Sequence, residues 1–416
     1  MSTTFEIVRE GDTFERFARR IYGTEGEAER IRIANPGASE PLTAGVVLVA
    51  PALPSLPPLQ PPAPAETGEE TALLVNGQRF RFWSDIRITR TLDSMDTLGF
   101  SAPFDPADAS VRATFRPLSF QPAQVTVGGE PLFTGTLVNV NPRLEPKERT
   151  VDVSGYSIPG VMGDCTAPAS AYTVEASQLE FNGQSLREIA TTLAGLFSVG
   201  VVFDGDPGEP IERVALSATD RVLSFLIAEA QQQNLVVSST PTGQLLFQQS
   251  AAPGVPVARL VEGSSPLVTV TPFFSPQEYY SDITGIEPVG TGTAGSQFTV
   301  PNPRLLGVLR PLTFQASDVQ AGGIVDAVQS KAGRMFASAI SYRATVATWR
   351  DGSGNLWRPN TTVSLLAPGA MVYNEFDFIL RGIEFIRSGK SETAVLDLML
   401  PGALSGQIPE VLPWDG

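Results

Sequence analysis

The chain has 416 residues, 42% of them hydrophobic, with a net charge of −15, one cysteine and no histidine. The length exceeds one ordinary core, so about three domains are expected, of soluble globular composition. The acidity argues against electrostatic adhesion to nucleic acid or an anionic membrane, and the missing histidine removes Ser-His-Asp and Cys-His machinery and the usual zinc sites.

Residues 1–51 read as one unit of order β-α-α-β. Ile7-Val8-Arg9 suggests a short strand, followed by a turn at Glu10-Gly11. Asp12 or Thr13 would cap a helix carrying Phe14, Phe17, Ala18 and Ile21 at i, i+3, i+4 and i+7. Tyr22-Gly23 ends it. A second helix is predicted over Ala28–Ala34, stopped by Asn35-Pro36-Gly37. Val46 to Val49 closes the unit as a strand. Residues 52–71 are proline-rich, a composition that favours extended polyproline II and acts as a spacer.

Residues 72–160 are strand-rich. Leu73 to Val75, Asn76-Gly77 and Arg79 to Trp83 give a hairpin signature. Ile86, Ile88 and Arg90 continue with alternation. Val125 to Val127, Gly128-Gly129 and Leu132 to Val140 give a second hairpin, and Thr150 to Tyr156 a further strand. A small antiparallel β-barrel is the expectation.

Residues 161–262 change period. Ser185-Leu186-Arg187-Glu188 is a capping box, and Leu186, Ile189, Ala190, Leu193, Leu196 and Phe197 form the stripe behind it. Ser217 and Asp220 suggest a second box, before Leu223, Leu226, Ile227 and Ala230. With strands at Val201 to Phe203, Leu235 to Val237 and Leu245 to Gln248, the pattern is α-β-α-β-β. Residues 263–348 hold strands and loops, aromatics at Phe273, Phe274, Tyr279 and Tyr280, and a helix from Asp318 to about Phe336. An alternating strand, Ile340 to Val346, leads onward. Residues 349–416 predict three strands, Thr362 to Leu366, Phe376 to Ile386 and Thr393 to Leu400, as a second small barrel. The fold class is α+β, mainly β: a βααβ module, then two antiparallel β-barrel domains flanking an α+β domain.

No stretch carries a reaction centre. Asp204-Gly205-Asp206-Pro207-Gly208-Glu209 clusters hard oxygen ligands but lacks an alternate third ligand and a distant bidentate glutamate. Gly290 to Gly295 lacks the Gly-Lys-Ser/Thr ending of a phosphate loop. Cys165 cannot form an intrachain disulfide and has no histidine to activate it, so a structural thiol is expected. No cofactor and no metal are expected. No apolar run reaches the roughly 20 residues that span a bilayer, and the N-terminus lacks the pattern of a secretory signal. Synthesis in the cytoplasm without membrane insertion fits.

Two resemblances arise from these residues. The GDT turn, the Tyr-Gly helix end, Ile31 to Asn35 and the Leu-x-x-Gly-x-x-Leu closing strand make residues 1–51 similar to a LysM module. Phe14 stands where leucine is usual, and Ala50-Pro51 replaces a direct aliphatic-proline ending. LysM modules generally bind N-acetylglucosamine glycans. Carried over by position, Gly11, Asp12, Thr13, Asn35, Pro36 and Gly37 would line the groove, with peptidoglycan as the candidate ligand; alternatively these residues cap and turn, and the module docks on a protein.

Most of residues 72–402 resembles the central baseplate hub of contractile phage tails, especially the phage Mu-like family. The residues concerned are Gly128-Gly129-Glu130 to Gly135, Gly163-Asp164-Cys165, Ser185 to Ile189 with Gly243-Gln244-Leu245, and Trp357-Arg358-Pro359-Asn360 through Phe385. Their order persuades more than any one. The N-terminal unit departs from the plain hub pattern. The resemblance implies a structural virion protein in the tail baseplate: a homotrimer whose paired barrels form a pseudo-hexamer, joining a six-fold tail tube protein to a three-fold spike protein among other baseplate proteins. An acidic lumen would let DNA pass without tight binding; alternatively the acidity serves solubility alone. A LysM-bearing peptidoglycan hydrolase is one alternative, and the equivalent hub of a tailocin or secretion machine is another.

Overall fold

The computed structural model describes residues 4–22, 28–51, 69–145, 149–172, 178–286, 296–305, 307–315, 323–389, 391–404 and 411–415. Met1–Gln60 and Pro61–Gly416 are two compact units. The first has the expected order: strand Thr4–Ile7, helices Phe14–Tyr22 and Ala28–Ala34, strand Val47–Ala50. The strands pair antiparallel, Phe5 opposite Val49 and Ile7 opposite Val47. Thr13, not Asp12, caps the first helix, its Oγ1 accepting from Arg16 N at 3.3 Å. Phe14, Phe17 and Ala18 are buried with Ile31, Leu42 and Leu48, as the i, i+3, i+4 spacing requires. The first strand lies earlier than expected, and Val8 extends it by donating its N–H to Val46 O at 2.8 Å and accepting from Gly45 N at 2.9 Å.

In the second unit, turn chemistry fixes the first hairpin. Asn76 (φ 52°) and Gly77 (φ 72°) occupy the left-handed region that a two-residue primed turn needs. They join Thr71–Val75 to Gln78–Phe80. Gly128 and Gly129 likewise join Pro122–Val127 to Glu130–Leu144.

These strands belong to a sheet of 13. From one end it runs Leu267–Phe274, Ile340–Val346, Ser391–Met399, Val372–Ser388, Asp85–Thr91, Thr97–Pro103, Arg149–Ser157, Glu130–Leu144, Pro122–Val127, Thr71–Val75, Gln78–Phe80. Ala258–Val261 and Thr362–Ala367 pair in parallel off this path, and Thr362–Ala367 joins Val372–Ser388. Val372–Ser388 changes neighbours along its length. Val372 to Ile379 face Thr362–Ala367, whereas Gly382 to Ser388 face Asp85–Thr91. The switch falls at a register shift between Leu380 and Gly382 against Ser391–Met399, the kind of bulge that bends a strand. The two segments expected as barrels thus share a hydrogen-bonded ladder, and one apolar cluster contains Ile86, Leu98 and Phe100 of the first with Trp349, Phe378 and Phe385 of the second. Trp349 lies edge-on to Phe385, centroids 5.5 Å apart, and its Nε1 donates to Thr393 O at 2.9 Å.

The α+β segment has its own core, including Leu186, Ile189, Leu193, Leu226 and Phe247. Helices Leu186–Gly195 and Val222–Gln232 pack with the three-stranded sheet of Val201–Asp204, Leu245–Gln249 and Leu235–Ser239, the first two parallel. The Ser185 box is complete: Ser185 N donates to Glu188 Oε2 at 2.8 Å and Glu188 N to Ser185 Oγ at 3.4 Å. The Ser217–Asp220 box is not a helix cap. Asp220 Oδ2 accepts from Ser217 N at 3.2 Å, closing a turn, and the helix begins later at Val222, whose N–H donates to Cys165 O at 3.3 Å. Gln178–Gln184 and Ile211–Ser217 form a further antiparallel pair that the sequence reading left unassigned. Its strands bury few side chains beyond Phe181, Ile211 and Leu216, so no clear alternation marks them.

The late helix spans Gly323–Ala339; its expected start at Asp318 lies outside the described residues. It packs on the sheet of Asp282–Ile286, Gln297–Pro301 and Pro311–Gln315, and a Cβ at Gly285 would stand 2.5 Å from Val328 Cγ2. The four aromatics expected together are divided. Tyr279 packs on Phe336, Phe274 on Tyr342 and Trp414, and Phe273 under the Arg343 guanidinium.

Candidate functional site

The six residues of the expected groove lie at the first turn and after the second helix, and their polar groups face inward. Asp12 Oδ2 accepts from Arg9 N at 2.9 Å and from Arg20 Nη2 at 2.6 Å. Burial pushes its carboxyl up, but these hydrogen bonds and the two arginine charges outweigh that and hold it below the usual range. Gly11 has φ 82°, and its carbonyl accepts from Arg16 Nη1 at 3.1 Å. Asn35 ties the second helix to the closing strand: Nδ2 donates to Ile31 O and Val49 O, and Oδ1 accepts from Val49 N, each at 2.8 Å. Pro36 and Gly37 are exposed. Asp12, Thr13 and Asn35 are therefore engaged within the unit, and a ligand there would meet mainly backbone and the Pro36-Gly37 turn.

Elsewhere the weighed alternatives take structural roles. Asp206 Oδ1 accepts from Gly208 N at 3.0 Å in an Asx turn, and no group of three potential ligands for a metal occurs among the described residues. Cys165 is half-buried. The loop from Gly290 to Gly295 lies outside the described residues.

A buried ion pair sits where the two halves of the sheet meet the α+β segment, and sequence reading did not single it out. Arg90 Nε donates to Asp96 Oδ2 at 3.1 Å, both side chains nearly fully buried. Asp96 N donates to Ser239 Oγ at 3.1 Å, linking this strand end to the α+β segment. Burial pushes the Asp96 carboxyl up to about 6, against the pull of Arg90. Beside the register shift, Arg381 Nη2 donates to Asp93 Oδ2 at 2.9 Å, and Leu92 N to Arg381 O at 2.7 Å. Burial also raises the Asp397 carboxyl. Fixed ion pairs at a junction hold orientation; Asp96 is 1% exposed, which suits a joint rather than a general acid. The sequence signal was there in Asp93-Ser94-Met95-Asp96 beside Arg90, but it reads as an ordinary polar turn until Arg381 arrives from almost three hundred residues away.

Residues 160–249 match the family described as baseplate hub protein gp44-like, second domain. The chain is 20% identical over 312 residues to baseplate hub protein gp44 of Escherichia phage Mu, covering 70% of this chain and 78% of that protein. The chain thus resembles the Mu-like baseplate hubs. The fold is shared with a 43 kDa tail protein of prophage MuSo2 from Shewanella oneidensis, at TM-score 0.69 and 23% identity, over 81% of this chain and 99% of that one. A tail protein from Neisseria meningitidis MC58 shares it at TM-score 0.66 and 19% identity, over 82% and 99%. The family match falls on the α+β segment with the Ser185 box, the segment that Asp96 and Ser239 tie to the 13-stranded sheet.

Proposed function

We propose that this chain is a central baseplate hub of a contractile tail. Three copies form a ring in which the two β segments of each chain alternate, so that a three-fold assembly presents six similar modules. One side meets the six-fold tube and the other a three-fold spike, and the ring works by shape, without catalysis. It resides in the tail baseplate after synthesis in the host cytoplasm. Part of the −15 charge of each copy lines the lumen, where it repels phosphate and keeps DNA from adhering.

The observation that carries this reading is the gp44-like segment set between two strand-rich segments that share one ladder. A coupler needs its modules held in fixed relation, and the strand Val372–Ser388 supplies that by pairing with both. Mass measured by light scattering across concentration, followed by imaging of the assembled particle, tests the proposal. A trimer on the tail axis with pseudo-six-fold β modules is expected; an off-axis position or modules without that relation overturns it. Solubilisation of purified peptidoglycan, abolished by a single carboxylate substitution, would instead establish the hydrolase alternative.

A further inference from the structure

The 13-stranded sheet closes on itself at one end without backbone pairing. Thr71–Val75 is laddered to Gln78–Phe80 and Pro122–Val127, and Asp85–Thr91 to Val372–Ser388 and Thr97–Pro103. No ladder joins Gln78–Phe80 to Asp85–Thr91 among the described residues, although the two strands follow one another in the chain. Yet the two sides of this seam share a core. Leu73 and Val75 are buried in one cluster with Ile86, Ile88 and Phe100, and the Phe80 ring lies 6.0 Å from that of Phe100. A flat sheet would hold these two strands about 24 Å apart, five steps of the ladder. The sheet therefore curls until its terminal strands cover strands nearer its middle, and the seam between them carries no backbone rungs.

Charged side chains bridge the seam instead. Arg387 stands opposite Ile86 in the ladder. Its Nη1 lies 3.0 Å from Glu69 O, 2.7 Å from Thr71 Oγ1 and 3.0 Å from Glu392 Oε1, and Glu392 is almost fully buried. Arg350 Nε donates to Glu69 Oε2 at 2.8 Å and its Nη1 to Glu130 Oε2 at 3.4 Å, while Arg358 Nη2 reaches Glu130 Oε1 at 3.4 Å. The residues that meet at Glu69 are 281 and 318 positions apart in the chain. Contacts of this kind are individually weak where they reach solvent, and salt screens them, unlike the rungs of a ladder.

We propose that residues 69–80 are a strap that opens and shuts over the core of the first β segment, with Arg350 and Arg387 as the latch that keeps it shut. Shut, the strap buries Leu73 and Val75. Open, it uncovers Phe100 and Phe115, on which Phe80 rests, and frees the edge of Pro122–Val127. Opening is a local event below global unfolding, and the latch sets its cost. The strap is also the first element after the proline-rich stretch, so whatever displaces that stretch acts on the latch first. The inference does not depend on the ring reading above.

Amide exchange read by mass spectrometry on the full chain tests it. Arg350→Met with Arg387→Met keeps the apolar stems and removes the charges. Exchange in peptides covering 69–80 should then rise about 10-fold or more, while peptides covering 382–388 and 391–399 keep the wild-type rate. Arg350→Lys with Arg387→Lys should restore part of the protection. In the wild type, raising NaCl from ~0.05 to ~0.5 M should speed exchange in 69–80 selectively, and the methionine variant should not respond. Unchanged exchange in 69–80 overturns the latch. An equal rise across 61–416 overturns the strap, because the arginines then support the whole unit. Should the methionine variant not fold, the salt comparison on the wild type decides alone: an absent or unselective response overturns the inference.

Discussion

Asp96 bears the cost of being buried beside only one cation. In the folded chain its carboxyl is pushed up to about 6, so between the ordinary aspartate value of about 4 and about 6 the folded state binds a proton that the unfolded state releases. The contribution of this group to stability therefore falls as pH rises through that window and recovers as pH falls. Measured against Asp96→Asn, which does not titrate, the wild type should gain about 3 kcal/mol between pH 7 and pH 4 in urea unfolding. A constant difference between the two proteins would contradict the assignment. Asn35 makes the opposite kind of contribution. Replacing it with alanine leaves the Val49 amide and two carbonyls without their partner. We expect the N-terminal unit to lose about 2 kcal/mol, seen as a lower melting temperature for that unit. Loss of glycan binding in such a variant would report on folding, not on ligand contact.

Among the elements, helix Leu186–Gly195 and strand Val372–Ser388 differ in how they are specified. The helix is local: Ser185, Glu188 and the apolar stripe lie within a few residues of one another, and Ser185→Ala should cost about 1 kcal/mol in chemical unfolding. The hairpin at Asn76-Gly77 was legible for the same reason. The strand's length and alternation were also readable, but not its change of neighbours, because Gly382 opposite Thr91 is a pairing across almost three hundred residues. No spacing rule reaches that far. Ser217 and Asp220 misled in the reverse direction: the right residue types at box spacing serve a turn, while the helix takes its first acceptor from the backbone at Cys165. Of the candidate site, the six N-terminal residues are readable as turn and helix-end residues, but that Asp12 and Asn35 are engaged internally depends on Arg20 and Val49, which only the folded unit brings near. At Gly382 a Cβ would stand 3.2 Å from Thr91 Cγ2 and 3.4 Å from Arg90 O. Gly382→Val should therefore destabilise by about 1–3 kcal/mol, measured by urea unfolding, and loosen the junction more than either half alone.

At the scale of the molecule, residues 61–416 form one compact unit, built round the 13-stranded sheet, and residues 1–60 another. Calorimetry should resolve a small transition for the N-terminal unit and a separate large one for the rest. Amide exchange should then show similar protection on Asp85–Thr91 and Ser391–Met399, which flank the shared strand Val372–Ser388. That strand has a mechanical meaning as well. Under the proposed function, contraction of the tail would deliver an abrupt axial load to this chain. A pull along Val372–Ser388 must shear many parallel-loaded hydrogen bonds at once instead of unzipping them singly, so a jolt received by one half reaches the other without a hinge to absorb it.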